Sequence, residues 1–271
     1  KFGDTTDLVG GPSLSFDGNT MFFFRSIGMI GDHEIFYSER THDGWSEPKN
    51  VGPPINTRPE SDKDGGLTGG YEAFPSVSAD GATLYFVRKN EEGPQDKLLR
   101  KDKENLFCLC IYKSTKDKEG KWTRPERLPW PINQECEKAP RIMADGRTLI
   151  FSSNRPGGKG GYDMYQSKLN ELDEWSMPVP LEFVNTDKDD QLPCISAEGD
   201  RMYYTYNNAD IYSVVIPPNL RQFMNNIVQG YVRDEDSKTG IEAFIEVTDA
   251  LTSETVMKLE SNPADGRYTL V

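Results

Sequence analysis

The chain has 271 residues and a formal net charge of −13. This charge argues against binding to nucleic acid or to an anionic membrane surface, because both are negatively charged. No run approaches the roughly 18 consecutive apolar residues that a transmembrane helix requires, so the sequence predicts no transmembrane segment. The 24 glycines, 18 prolines and 11% aromatic residues predict an all-β fold with many turns.

A short pattern occurs four times along the first three quarters of the chain. Each copy has a proline beside apolar residues, a turn ending in glycine, a strand rich in aromatic residues and a third strand. The second strands are at 20–24, 83–87, 148–152 and 201–205, and the third strands begin at Glu34, Cys110, Asp163 and Asp210. Glycine favours such turns because it tolerates positive φ. Repeats of this kind are typical of radially arranged sheets.

Three of the four copies end in a fourth segment of common form. Each segment begins with tryptophan, continues through proline and ends in an apolar residue followed by asparagine; the segments are 45–56, 122–133 and 175–185. We predict an outer strand here, since an edge strand can spare the N–H that proline lacks. Trp45, Trp122 and Trp175 are predicted to pack equivalently between neighbouring sheets.

Four strands per repeat predict a β-propeller over residues 1–217, with four visible blades and a fifth left open for a longer parent protein. Blade two carries a charged insertion at 89–105, which is expected to be a solvated protrusion because it offers almost no apolar side chain. Blade four lacks the tryptophan–proline segment. Propellers often close by borrowing a strand from the other terminus, so residues 1–8 or a preceding segment of the parent are expected to supply it.

After a bridge at 219–227 the sequence changes character. Residues 228–271 predict a small β-sandwich with strands at 229–232, 243–247 and 267–270, separated by polar turns. The segment is short for such a sandwich, so the domain is expected to be incomplete in this chain.

No catalytic, cofactor or metal site stands out from the repeat. His33 and His42 lie outside any zinc or nucleophile motif and are predicted at a strand start and in a turn. The recurring acidic residues are predicted to be structural, because a single active site would break the repeat. They are the turn residues Asp17, Asp80 and Asp145 and the strand heads Glu34, Asp163 and Asp210.

Two loops resemble ligand sites only superficially. The glycine-rich segment 157–161 is not followed by the Ser or Thr and the helix that a phosphate-binding loop requires, so we predict a hairpin turn. The acidic segment 186–190 lacks the glycine and glutamate spacing of an EF-hand and is predicted to be a solvated loop.

The four cysteines, Cys108, Cys110, Cys136 and Cys194, match no metal-binding spacing. Cys108 and Cys110 lie on the same side of one strand and are poorly placed to bond each other. Buried apolar thiols are one interpretation. Disulfide bonds of unassigned pairing are the other.

The sequence at 151–158 and 161–165 resembles the WD-like repeat of periplasmic TolB-type propellers, and residues 11–216 carry this resemblance. The C-terminal segment resembles the carboxypeptidase regulatory-like fold, a transthyretin-like sandwich without chemistry of its own. The pairing of the two is similar to OmpA-family lipoproteins of Gram-negative envelopes, including components of the type IX secretion system. The resemblance implies a periplasmic protein whose parent is anchored to the outer membrane. It implies envelope or secretion-system partners, with peptidoglycan bound only through a domain outside this chain.

The predicted function is that of a non-catalytic scaffold that binds proteins through one face of the propeller. That face, called the loop face below, carries the connections 26–33, 57–73, 89–107, 134–138, 155–162, 186–191 and 207–209. The predicted partner-binding residues at its rim are Tyr71, Arg88, Arg155 and Arg25. The alternative is a glycan- or peptide-binding, or hydrolytic, propeller with a ligand in the central funnel. Convergent carboxylates with a Tyr or Arg cluster in the funnel would favour the alternative, and apolar or glycine-lined walls would favour the scaffold.

Overall fold

The computed structural model describes residues 8–15, 18–26, 33–57, 60–61, 67–68, 70–89, 108–196, 199–207, 210–221, 228–262 and 265–270. Within these ranges the regular structure consists of β-strands and one 3-10 turn at Pro218–Leu220. The predicted all-β fold is therefore confirmed. No helix in these ranges has the length and apolar character needed to span a membrane.

Four antiparallel sheets follow one another along the chain and correspond to the predicted blades. Blade one comprises β1 (Val9–Leu14), β2 (Thr20–Ser26), β3 (His33–Thr41), β4 (Gly44–Trp45) and β5 (Lys49–Asn50). After a hairpin of β6 (Glu60–Ser61) and β7 (Leu67–Thr68), blade two comprises β8 (Glu72–Val77), β9 (Thr83–Lys89), β10 (Leu109–Thr115) and β11 (Glu126–Arg127). Blade three comprises β12 (Glu137–Ile142), β13 (Thr148–Ser153), β14 (Asp163–Lys168) and β15 (Val179–Pro180). Blade four comprises β16 (Asp190–Ile195), β17 (Arg201–Tyr206) and β18 (Asp210–Val215). The first strands of the four blades contact one another in turn and line a central channel, as in a propeller.

The proline of the repeat marks a bulge in each first strand. The register shifts at residues 11–12, 74–75, 139–140 and 192–193, where the residue before proline has a positive φ between 47° and 58°. Proline has no N–H to donate, so the ladder is interrupted where it stands. All four bulges line the channel.

An asparagine secures each short outer strand. The Asn185 side chain accepts a hydrogen bond from the Met164 N–H (2.8 Å) and donates one to the Met164 carbonyl (2.9 Å). The same pair of bonds joins Asn56 to Ile35 and Asn133 to Ile111. The predicted outer strands are confirmed, but each pairs with the third strand through only two residues. The buried amide supplies bonds that a longer strand would otherwise make.

Blade four has no such asparagine among the described residues. Ile211 occupies the position of Met164 in the register, opposite Thr205. Met164 is fully buried, whereas Ile211 is 77% exposed. Within the described ranges β18 pairs only with β17, which agrees with the predicted lack of an outer strand.

Apolar side chains fill the spaces between successive blades. One cluster joins blades one and two, a second joins blades two and three, and a third joins blades three and four. Trp122 packs on the first cluster, with its ring 6.3 Å from that of Phe22, and Trp175 packs on the second. The predicted packing between blades is thus confirmed for these two tryptophans. Trp45 is half-buried and belongs to none of the three clusters.

The C-terminal segment forms two antiparallel strand pairs: β19 (Val228–Tyr231) with β22 (Arg267–Leu270), and β20 (Phe244–Thr248) with β21 (Thr255–Glu260). Three of these strands were expected from the sequence, and β21 was not. The domain boundary expected between Pro217 and Val228 falls partly on 222–227, outside the described residues. The boundary and the transthyretin-like assignment both stay predictions.

The cysteines adopt both states that the sequence left open. Cys108 and Cys136 form a disulfide with a Cα–Cα distance of 4.9 Å, Cys110 is a buried thiol and Cys194 is an exposed thiol. The disulfide joins the beginning of the third strand in blade two to the connection that enters blade three.

Candidate functional site

The strand register places on one face the strand ends that flank the predicted connections; the charged insertion predicted in blade two lies, from residue 90 on, outside the described residues. Glu72, at the start of β8, lies opposite Arg88 near the end of β9, which in turn lies opposite Cys110 near the start of β10. The same order holds in blade three, where Ser153 lies between Glu137 and Asp163. The starts of the first and third strands and the ends of the second strands therefore share the loop face.

A buried ion pair occupies this face in blade two. Arg88 Nε lies 3.0 Å from Glu72 Oε1, and its Nη2 donates to the Ile55 carbonyl at 2.6 Å. Thr57 also donates to Glu72 Oε1, while Glu72 Oε2 has no hydrogen-bond partner among the described residues. Burial raises the pKa of Glu72 to about 7, against the opposing effect of the Thr57 and Arg88 donors.

Blade three repeats this arrangement. Arg155 Nη2 donates to the Ile132 carbonyl at 2.7 Å and lies 3.4 Å from Glu137 Oε1. Two backbone N–H groups at 134–135 also donate to that oxygen. Burial raises the pKa of Glu137 to about 7 and lowers that of Arg155, although each charge favours the other. Each arginine thus ties the end of one blade to the first strand of the next.

The buried contacts of Arg88 and Arg155 differ from the prediction that both residues are exposed anchors for a partner. The side chains of Arg88 and Arg155 are only 13% and 6% exposed, because carbonyls and a carboxylate surround their guanidinium groups. Positioning of neighbouring blades is the role that this geometry supports. The glutamates were missed in the sequence, although their separations from the arginines, 16 and 18 residues, are similar in the two blades.

The other two predicted anchors are half-buried at the rim. The Tyr71 ring stacks on His33 at 4.5 Å, and His33 stacks on Phe24 at 5.0 Å. Burial raises the pKa of the Tyr71 hydroxyl. Arg25 lies over the Phe36 ring at 5.7 Å. Partner binding by these residues stays a prediction.

Trp130 is a candidate anchor that the sequence reasoning missed. It is 68% exposed and precedes Pro131, whose carbonyl accepts a hydrogen bond from Arg155, so it lies at the loop face. Exposed tryptophans are frequent hot spots of protein interfaces. It is also the one tryptophan of the chain that does not open an outer-strand segment. This departure from the repeat is the sequence signal that could have identified it.

Three of the recurring acidic residues accept hydrogen bonds from nearby backbone N–H groups. Asp145 accepts bonds from the N–H groups of Arg147 and Thr148, and Asp163 accepts them from Lys159 and Gly160. Their predicted structural roles are confirmed, as is that of Asp80, which accepts the Ala82 N–H. Asp17 lies outside the described residues.

The two loops with superficial ligand motifs are held by their own contacts. A side chain at Gly160 would overlap the Lys188 carbonyl, so this glycine permits close backbone packing. Asp190 accepts bonds from the Thr186 N–H and hydroxyl. Asp190 is fully buried at the start of β16, so the solvated loop predicted for 186–190 is wrong at this residue, and burial raises the pKa of its carboxyl. The described residues contain no cluster of three or more side chains suited to a metal ion.

The central channel contains a cavity of about 210 Å³. The four bulges and blade four line it, and its polar side-chain groups come from Arg141, Cys194, Tyr203, Tyr204 and Thr205. No Asp or Glu is among its described lining residues. The described lining thus combines an arginine and two tyrosines with apolar walls.

Comparison with known proteins gives distant structural similarities. No protein-family model matches the chain, and no curated protein matches it. It is similar to TolB from Acinetobacter baumannii (13% identity, 97% of this chain and 57% of that chain, TM-score 0.46). It is also similar to an α-L-arabinofuranosidase from Lactobacillus brevis (14% identity, 96% and 89%, TM-score 0.48). A third similar structure is Zg3597, a family 117 glycoside hydrolase from Zobellia galactanivorans (15% identity, 100% and 86%, TM-score 0.47). The chain thus spans little more than half the length of TolB. At such identities the function must be argued from the chain's own residues.

Proposed function

We propose that this chain is a non-catalytic, protein-binding scaffold module. The observation that carries the proposal is how the loop-face carboxylates are used. Arginine and backbone donors engage Glu72 and Glu137 within the blades, and backbone donors engage Asp163. Glycoside hydrolysis commonly needs two carboxyl groups flanking the substrate bond, and the channel lining offers none among the described residues.

We further propose that the module works in the periplasm, in an outer-membrane-associated complex of the type IX secretion system. Its parent would be a PorE-like lipoprotein of the OmpA family. The support is the sequence resemblance of residues 11–216 to TolB-type repeats and of 228–271 to the carboxypeptidase regulatory-like fold. The partners would be other envelope proteins.

The proposed contact surface is the loop face, with Trp130 as its aromatic anchor. Trp130 presents a large ring to solvent, and burial of such a ring gives binding energy at little conformational cost. Arg88 and Arg155 support this face from within.

The test is recovery of envelope proteins from outer-membrane extract by the whole chain and by Trp130→Ala. Phe244→Ala is the matched control, since Phe244 is an aromatic residue of the C-terminal segment and is 89% exposed. We expect Trp130→Ala to lose a partner that the wild type and the control retain. Equal recovery by all three would contradict the assigned face. Turnover of a glycan or peptide by purified protein would contradict the absence of catalysis.

A further inference from the structure

The repeat is broken at one position of the channel. In blades one and two the residue after the bulge proline is a buried serine, which accepts a hydrogen bond from the first strand of the next blade. Ser13 Oγ accepts from the Val77 N–H at 3.2 Å, and Ser76 Oγ accepts from the Ile142 N–H at 3.0 Å. Blade three has Arg141 at this position and blade four has Cys194. An arginine at this position is not needed for the hydrogen bond that the serines make to the next blade.

The Arg141 side chain reaches across the channel. Its Nε donates to the Pro193 carbonyl of blade four, and its Nη2 donates to the Pro12 carbonyl of blade one, both at 3.4 Å. No carboxylate of the described residues forms an ion pair with it. Burial lowers the pKa of Arg141, and the neighbouring Cys194 thiol acts in the opposite direction. Arg141 is partly buried and its hydrogen-bond partners are carbonyls, which leave its positive charge uncompensated, so an anionic ligand would be favoured beside it.

The walls around Arg141 are apolar. The cavity of about 210 Å³ is lined by Phe74, Leu192 and Ile211, together with the bulge prolines. This volume is far above the roughly 15 Å³ that a single water needs. Tyr203 and Ile211 are 43% and 77% exposed, so the cavity opens beside blade four. A ligand with one negative charge attached to an apolar group would match both the Arg141 cation and the apolar walls of the cavity.

We propose that the channel binds a carboxylate attached to an apolar group, with Arg141 as its anchor. A guanidinium group can hold a carboxylate through two parallel hydrogen bonds, and apolar walls strengthen such bonds by excluding water. The carboxylate is either the C-terminus of a peptide with an apolar last residue or a free small acid. This site lies in the channel rather than at the loop-face rim, so it stands or falls independently of the proposed protein contact.

The first experiment compares three probes by isothermal titration calorimetry on the whole chain. They are acetyl-Ala-Ala-Leu with a free carboxylate, the same peptide as its amide, and 3-phenylpropionate. We expect at least one of the two acids, the peptide acid or phenylpropionate, to bind. If the peptide acid binds, its amide should bind at least about tenfold more weakly. Binding of the peptide acid alone identifies a peptide C-terminus, and binding of phenylpropionate shows that a free acid suffices. Equal binding of the acid and amide peptides, or no binding of either acid at millimolar concentration, overturns the proposal.

The second experiment uses variants with the better acid. Arg141→Gln should weaken its binding at least about tenfold. Arg147→Gln is the matched control, because Arg147 also donates to backbone carbonyls in blade three but lies at an exposed turn. Wild-type affinity in Arg141→Gln, or an equal loss in the control, overturns the proposal.

A third readout tests the wild-type protein without substitution. Cys194 is an exposed thiol that lines the cavity, whereas Cys110 is buried. Bound acid should slow the reaction of Cys194 with a thiol reagent, and the amide should not. This measurement remains decisive if Arg141→Gln fails to fold, and an unchanged reaction rate at saturating acid overturns the proposal.

Discussion

Replacing Arg155 with methionine tests whether the buried ion pairs hold neighbouring blades together. The guanidinium group donates to the Ile132 carbonyl at 2.7 Å and to Ser153 Oγ at 2.9 Å, and lies 3.4 Å from Glu137. Methionine retains an apolar stem but removes every donor. Removal of one partner of a buried ion pair costs about 3–5 kcal/mol. We expect a loss near the lower end of this range, because Glu137 can take up a proton.

The loss should depend on pH. Burial raises the pKa of Glu137 from 4.5 to about 7. Because the folded-state pKa is higher than the unfolded one, the carboxyl contributes stability fully below about pH 4.5 and loses that contribution as the pH rises through about 7. Without the Arg155 cation the pKa of Glu137 rises further. The protonated carboxyl then stabilises the fold up to a higher pH, but the ionised carboxylate, once formed, destabilises the variant more than the wild type. The difference in unfolding free energy between wild type and variant should therefore grow from about pH 5.5 to about pH 8.5.

Urea denaturation at these two pH values measures the effect. The double variant Arg155→Met/Glu137→Gln should recover part of the loss, with a coupling energy of about 1–3 kcal/mol at the higher pH. Arg147→Met is the control for an exposed arginine, and its loss should stay within about 0.5 kcal/mol. A loss below about 1 kcal/mol at both pH values, or one independent of pH, would refute the assigned role.

Three further outcomes follow from the blade structure. Asn185→Ala should lower the unfolding free energy by about 2 kcal/mol, because it leaves the buried N–H of Met164 unpaired, while the Met164 carbonyl keeps the Leu181 N–H; an unchanged denaturation midpoint would contradict this. Trp122→Ala should cost about 2 kcal/mol, less than the 3–5 kcal/mol of a fully buried ring, because this ring is half-buried; calorimetric melting checks it. By hydrogen exchange, amides of Asp210–Val215 should exchange faster than those of Asp163–Lys168, because their outer edge is uncovered within the described ranges. Equal protection of the two strands would show that another segment covers this edge.

The sequence by itself determined the features that depend on neighbouring residues. Asp145 and Gly146 make a turn because the aspartate bonds nearby N–H groups and glycine accepts the positive φ of 64°. Alternation of apolar residues and the recurring turns were sufficient to predict four antiparallel blades. The outer segments were also recognisable, although the sequence did not reveal that a single asparagine, such as Asn185, carries much of the pairing.

Only the tertiary structure decided which polar side chains face solvent. Arg155 and Trp130 both lie in loops, yet Arg155 is buried against Glu137 and Trp130 is exposed. Arg141 likewise became notable only when blades one and four were seen to supply its carbonyl partners. Burial of a charge depends on which distant segment lies beside it. Such contacts arise when separate blades close around a channel, and no local pattern of residues encodes them.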